Sequence, residues 1–205
     1  MYFIKRPVMS FRKERKYKLT ISEFDRLKNQ LLRIGMDNLF QPRKINSIYY
    51  DTDAYDLYHH SEDGVVPRKK IRIRWYDSVK NASVETKISS IEGRYKIKKS
   101  KILTGPNSFP KVISDQVYGI LTPSLLVSYE REYYTLKGMR LTFDSKITYK
   151  DYRSVLSMKY DDAERVMEIK VSIDTSEDFI EKHIPYPTSR FSKYSRGILF
   201  CNNDI

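Results

Sequence analysis

The sequence predicts an α+β protein built on an antiparallel β-sheet that closes into a barrel, with helices packed on its outside. Three observations carry that expectation. Six or more stretches rich in β-branched and aromatic residues follow one another, mostly at hairpin spacing. Along several of them charged and apolar residues alternate at the period of a strand. The 205 residues also carry a formal charge of +12, which calls for an anionic partner.

Taken in order, Ser10–Leu19 reads as a first strand. Thr20-Ile21-Ser22-Glu23 is a capping box, and Phe24, Leu27, Leu31 and Ile34 recur at helical spacing until Gly35 ends the helix. Asn46–Thr52 is a strand, Ala54–Ser61 a short helix and Gly64–Pro67 a loop. Strands follow at Lys69–Tyr76, Ala82–Ser89 and Arg94–Leu103, then a loop at Gly105–Pro110 and a helix at Lys111–Leu121. Leu125–Leu136 and Met139–Tyr149 form a hairpin about Lys137-Gly138, and Arg165–Ile173 is the last strand. Ser176–His183 is a short helix before Pro185 and Pro187, and Ser189–Leu199 carries a cluster of cations and tyrosine.

Composition narrows the class. Hydrophobic residues at 40% and charged residues at 31% describe a globular chain, and its length fits a single domain over residues 1–205. Cys201, the one cysteine, has no internal partner, which points to a reducing compartment. MYFIKRPVMS has no long apolar run, and no stretch approaches the ~20 apolar residues of a membrane helix. A soluble, cytoplasmic protein is the expectation.

The alternation is the informative feature. Lys70, Arg72, Arg74 and Tyr76 share one face of a strand whose other face is Ile71, Ile73 and Trp75. Glu168 and Lys170 alternate with Met167, Ile169 and Val171; Arg140, Thr142, Asp144 and Lys146 alternate less perfectly with Leu141, Phe143 and Ile147. Arg12, Glu14, Lys16 and Lys18 line one face of the first strand. A solvated sheet face mixes both signs evenly, whereas here cations dominate. If these faces converge inside a barrel, two like charges about 6 Å apart repel by roughly 3 kcal/mol at an effective dielectric near 20. Several such pairs rival a domain's whole stability of about 5–15 kcal/mol, so a bound anion is expected to relieve them. Nucleic acid suits this less well than a phosphorylated small molecule: the chain has neither a recognition helix nor an RNP-like aromatic motif.

Eight segments then occur in a telling order: Glu14-Arg-Lys16-Tyr17, Ile48-Tyr-Tyr-Asp51, Arg72-Ile-Arg74-Trp-Tyr76, Glu85-Thr-Lys87, Tyr129-Glu-Arg131-Glu-Tyr133, Arg140-Leu-Thr-Phe-Asp144, Met167-Glu-Ile-Lys170 and Ser192-Lys-Tyr-Ser-Arg-Gly197. They resemble the VTC domain, the polyphosphate polymerase domain of vacuolar transporter chaperones, within the CYTH superfamily of triphosphate tunnel metalloenzymes. The resemblance spans residues 12–197. It implies an eight-stranded closed tunnel and metal-dependent transfer of the ATP γ-phosphate onto polyphosphate. It departs from the hydrolase branch at Arg12, which stands where those members carry the first glutamate of Glu-x-Glu-x-Lys.

Roles follow from that implied chemistry. Lys16, Arg72, Arg74, Lys87, Arg131, Arg140 and Lys193 are the expected catalytic and phosphate-holding cations, because guanidinium forks and ammonium groups match phosphate oxygens. One further lysine is expected from the strand at 94–103; Lys96 and Lys98 share a face, and Lys98 is carried in the set with Tyr194 as an added phosphate donor. Glu168, with Glu14 second, is the expected ligand for Mg2+ or Mn2+. His59 and His60 read as surface residues, and Asp51 and Asp144 as strand-end residues with turn or cap roles. Expected small-molecule partners are ATP, polyphosphate, and inorganic phosphate or pyrophosphate, with a membrane-protein partner left open. The alternatives are a triphosphatase of the same fold and a non-catalytic polyphosphate-binding module.

Overall fold

The structure, a computed structural model, describes residues 12–100, 108–154, 156 and 158–202. In chain order the elements are β1 Arg12–Leu19, α1 Ile21–Arg33, β2 Asp37–Asp51, α2 Asp56–Glu62, β3 Arg68–Tyr76, β4 Ser78–Ser90 and β5 Gly93–Ser100. They continue with β6 Ile113–Asp115, β7 Gly119–Leu136, β8 Met139–Asp151, β9 Lys159–Asp161, β10 Arg165–Ser172, α3 Glu177–His183 and α4 Lys193–Cys201. The α1 capping box forms as its sequence requires. Thr20 Oγ1 accepts from the Glu23 N–H, and Glu23 Oε2 accepts from the Thr20 N–H at 2.8 Å.

The main sheet is antiparallel, with strand order β1-β10-β8-β7-β2-β3-β4-β5; β6 pairs with β7 and β9 with β8. Eight strands lie on the path, but the sheet is an open, curled half-barrel and not the closed barrel expected. Closure would need β1 to pair with β5. Both edges are dense in lysine, and like charges facing each other across a ladder oppose pairing.

Two apolar clusters cover the convex side. Tyr17, Leu19, Leu141, Phe143, Met167 and Ile169 pack under Phe24, Leu27 and Leu31 of α1 and Ile180 of α3. Leu27 has no exposed surface, so truncation to Ala should cost about 2–5 kcal/mol. Ile48, Ile71, Ile73 and Trp75 pack under Leu57 of α2, Phe109 and Leu121. Part of that cover is the hairpin β6–β7, where a helix over Lys111–Leu121 was expected. The reason is local: Asp115 Oδ1 accepts from the N–H groups of Val117 and Tyr118, and Gly119 adopts φ +73°, so the chain turns back.

The third cluster lies on the concave side, where Tyr49, Tyr129, Tyr149 and Val166 meet Phe191 and, from α4, Tyr194 and Ile198. The sequence marks no helix over Ser189–Leu199 and predicts helices only on the outside; α4 instead forms within that segment and lies inside the curl. Its close approach requires Gly197, where a Cβ would stand 2.5 Å from Leu125 Cδ2 and 2.6 Å from Tyr149 Cδ1. No helix among the described residues is long and apolar enough to cross a membrane.

Candidate functional site

Cross-strand register puts the alternating charged rows on one face. Glu14 lies opposite Lys170 and Lys16 opposite Glu168; Arg131 lies opposite Asp144; Arg72 lies opposite Tyr49 on one side and Glu85 on the other. The face is curled enough for its far ends to sense each other. Lys87 on β4 is acted on by Glu14 of β1 and by Glu168 and Lys170 of β10. Burial lowers its amine even though the residue is exposed, as expected for a side chain on the inner face of a curled, open sheet.

Three acid-centred clusters organise the face. Glu85, 2% exposed, accepts from Arg72 Nε at 2.9 Å and Nη2 at 2.7 Å and from Lys96 Nζ at 2.6 Å, with Arg74 Nη1 at 3.7 Å. Burial would raise its carboxyl, but Arg72 and Arg74 overcome that and hold it at about 2. Asp144, 1% exposed, accepts from Arg131 Nε at 2.6 Å and Nη2 at 2.7 Å, and from Lys193 Nζ at 2.6 Å. Burial opposes its charge too, yet Arg131 and Lys193 hold it far below the usual carboxylate range. Glu168 and Glu14 share the Lys170 ammonium, at 3.2 and 2.9 Å. Against burial, Lys170, Lys16 and Arg131 bring Glu168 to about 2.

Lysines tie the N-terminal end of α4 across the face: Lys16 Nζ donates to the Phe191 carbonyl at 2.8 Å and Lys70 Nζ to Ser192 Oγ at 2.7 Å. Burial pulls both amines down to about 8, Lys193 and Lys87 adding to the fall for Lys16. Among the described residues, nine cations (Lys16, Lys70, Arg72, Arg74, Lys87, Lys96, Arg131, Lys170, Lys193) stand against four carboxylates. The excess positive charge on this face is what an anion would meet.

Of the residues expected from sequence, Lys16, Arg72, Arg74, Lys87, Arg131, Lys193, Glu14 and Glu168 come together on this face. Arg140 shares its strand face but is exposed, its guanidinium 5.6 Å from the Phe40 ring. Both Lys96 and Lys98 are exposed, and it is Lys96 that reaches Glu85. Tyr194 is spent elsewhere: its hydroxyl donates to Asp51 Oδ2. Asp51 does act as a cap, accepting from the Leu57 and Tyr58 N–H groups at 2.9 and 3.0 Å. Asp144 does not, since it lies inside β8 as the counter-ion of Arg131. His59 is exposed, whereas His60 is half-buried with Nδ1 2.9 Å from the Tyr118 hydroxyl.

Glu85, Asp144, Lys70, Lys170 and Tyr49 were not in the expected set. Glu85, Lys70 and Lys170 each sit two positions from an expected residue on the same strand, and Asp144 sits four from Arg140, so same-face spacing marks all four. Among the described residues no group of three or more His, Cys, Asp or Glu side chains could hold a metal by itself. Glu14 and Glu168 fit a different arrangement: two ionised hard oxygen donors converging on one ammonium, with room in the chemistry for phosphate and water as further ligands.

The curled antiparallel sheet is a fold shared with several solved structures. Solved structures of that shape include a provisionally assigned adenylate cyclase from Bacillus halodurans, 18% identical, covering 89% of this chain and 94% of its own with a TM-score of 0.57. A conserved hypothetical protein from Pyrococcus furiosus is 14% identical, with 90% and 99% covered and a TM-score of 0.54. A provisionally assigned adenylate cyclase from Vibrio parahaemolyticus is 12% identical, with 89% and 95% covered and a TM-score of 0.51. At these identities the likeness concerns the fold. The VTC domain model matches residues 11–202, and the chain belongs to that family. A search of the curated proteins found no match.

Proposed function

We propose that the concave face binds the triphosphate of ATP and a linear polyphosphate end to end, and that the protein transfers the γ-phosphate from the first to the second. The observation that supports this reading is the excess of cations over carboxylates on the concave face of the curled sheet. Arginine forks and ammonium groups there are spaced along several strands and do not form one compact patch.

Phosphoryl transfer asks the protein for alignment and charge neutralisation more than for covalent chemistry. A terminal oxygen of the polyphosphate attacks the γ-phosphorus, the bond to the β-phosphate oxygen breaks, and ADP leaves with its electron pair. Arg72, Arg74 and Arg131 would hold equatorial oxygens, and Lys16, Lys87 and Lys193 would neutralise the chain on either side. Mg2+ or Mn2+, held by Glu168 with Glu14, would supply further charge on the phosphate oxygens when bound.

One observation favours transfer over hydrolysis. Water needs a base to take its proton, whereas a polyphosphate oxygen is already ionised. Glu14, Glu85, Asp144 and Glu168 all have carboxyls held below their usual value, so none of these carboxylates is a good general base near neutrality. The test is incubation with ATP and Mn2+, followed by separation of polyphosphate from free phosphate. Polyphosphate with equivalent ADP is expected. Free phosphate alone would replace the reading with a triphosphatase. Neither product, with tight tripolyphosphate binding, would leave a binding module.

A further inference from the structure

Tyr49 is the buried group that the mechanism does not use. Its hydroxyl accepts from Arg72 Nη1 at 2.8 Å, the Arg72 guanidinium carbon lies 5.6 Å from its ring, and its ring stacks on Tyr194 at 4.7 Å and 21°. It touches both the β3 arginine row and α4. From β3, Lys70, Arg72 and Arg74 act on it. The nearby acids are otherwise engaged: Glu85 of β4 with Arg72, Arg74 and Lys96, and Asp51 of β2 with Tyr194 and the α2 N–H groups. From β7, Tyr129 accepts from Arg74 at 3.3 Å, and Ser124 Oγ donates to the Tyr49 carbonyl at 3.1 Å and also bonds the Tyr194 hydroxyl. Tyr58 of α2 belongs to the same apolar cluster.

We propose that Tyr49 is the charge-adjusting positioning residue of this face: its hydroxyl fixes Arg72, is ionised while no polyanion is bound, and takes up a proton when one binds. The inference rests on the anion-binding part of the proposed function. A phenol surrounded by three cations gains by losing its proton, because phenolate answers charge that nearby carboxylates leave uncompensated. Burial alone would raise the phenol, yet Arg72, Arg74 and Lys70 bring it to about 7. A phosphate chain supplies the same negative charge from outside. The phenolate then becomes repulsive, and a proton from buffer converts it to a neutral hydroxyl that still accepts from Arg72.

Tyrosinate has its own near-ultraviolet absorbance, so the test needs no turnover. At pH 8 the wild type should show about one tyrosinate that Tyr49→Phe lacks, and saturating tripolyphosphate should erase it. In Tyr49→Phe the pH profile of tripolyphosphate affinity should also change between pH 6 and 9. Equal tyrosinate signals in wild type and Tyr49→Phe would overturn the inference, as would a band that persists once tripolyphosphate is shown by thermal shift to be bound. Absence of any thermal shift with tripolyphosphate would instead overturn the proposed function, which a tyrosinate signal specific to Tyr49 would survive. Should Tyr49→Phe fail to fold, Arg72→Lys serves in its place: loss of the guanidinium contact should shift the tyrosinate titration upward, and an unshifted titration counts against the inference.

Discussion

Asp144→Asn is the perturbation whose size can be worked from the geometry. The carboxylate is 1% exposed and accepts three charge-assisted hydrogen bonds, two from Arg131 and one from Lys193. Asparagine keeps the shape but removes the charge, leaving two largely buried cations without their counter-ion. Breaking one side of a buried ion pair costs roughly 3–5 kcal/mol. For a chain of this size each kcal/mol lowers Tm by about 2–4 °C, so a fall of roughly 6–20 °C is expected. A polyanion should restore part of it by facing Arg131 and Lys193 itself. Tripolyphosphate should therefore raise the Tm of Asp144→Asn by more degrees than that of the wild type. Thermal denaturation with and without tripolyphosphate measures both quantities. A variant melting within 2 °C of wild type would refute the assignment of Asp144 as the obligatory counter-ion. An equal ligand shift in both proteins would separate Asp144 from the anion-binding face.

Glu168→Gln should lower ATP-dependent polyphosphate synthesis by orders of magnitude while tripolyphosphate binding is kept or tightened, because a negative charge has left a polyanion site; Arg72→Ala should weaken both together. Near wild-type synthesis by Glu168→Gln would remove it from the metal role. Ligand-free stability should rise between about pH 8 and 10, since Lys16 and Lys70 sit at about 8 when folded and near 10.5 unfolded, so the unfolded chain binds more protons there. The gain is on the order of 3 kcal/mol per lysine at most, while tripolyphosphate affinity should fall over the same range; denaturant melts and calorimetry across pH read the two opposite slopes. On the acid side, Glu85 and Glu168, near 2 when folded and 4.5 unfolded, contribute stability present above about pH 4.5 and lost as pH falls toward 2. Gly197→Ala should destabilise by about 1–3 kcal/mol, because its Cβ would collide with Leu125 and Tyr149 and push α4 off the sheet. Unchanged melting would mean that α4 has slack there.

Elements whose signal is local were legible from sequence. The α1 capping box, the turn at Lys137-Gly138 and the period-two rows on β3 and β10 each depend on residues within a few positions of one another. Those rows established that one sheet face is cationic, and with it most of the residues that converge there. Sequence could not say which acid answers which cation. Arg131 meets Asp144 across the β7–β8 ladder, whereas Lys193 reaches the same carboxylate from 49 positions away. Local pattern therefore made Asp144 look like a strand-end cap. The Lys111–Leu121 helix failed because Asp115 bonds the backbone ahead of it, a competition that spacing of apolar residues does not reveal. Whether the sheet closes, and on which side α4 lies, was decided only by tertiary structure. Alternation defines two faces of a strand, but curvature, edge pairing and the fit of Gly197 against Leu125 and Tyr149 decide which face turns inward and what covers it.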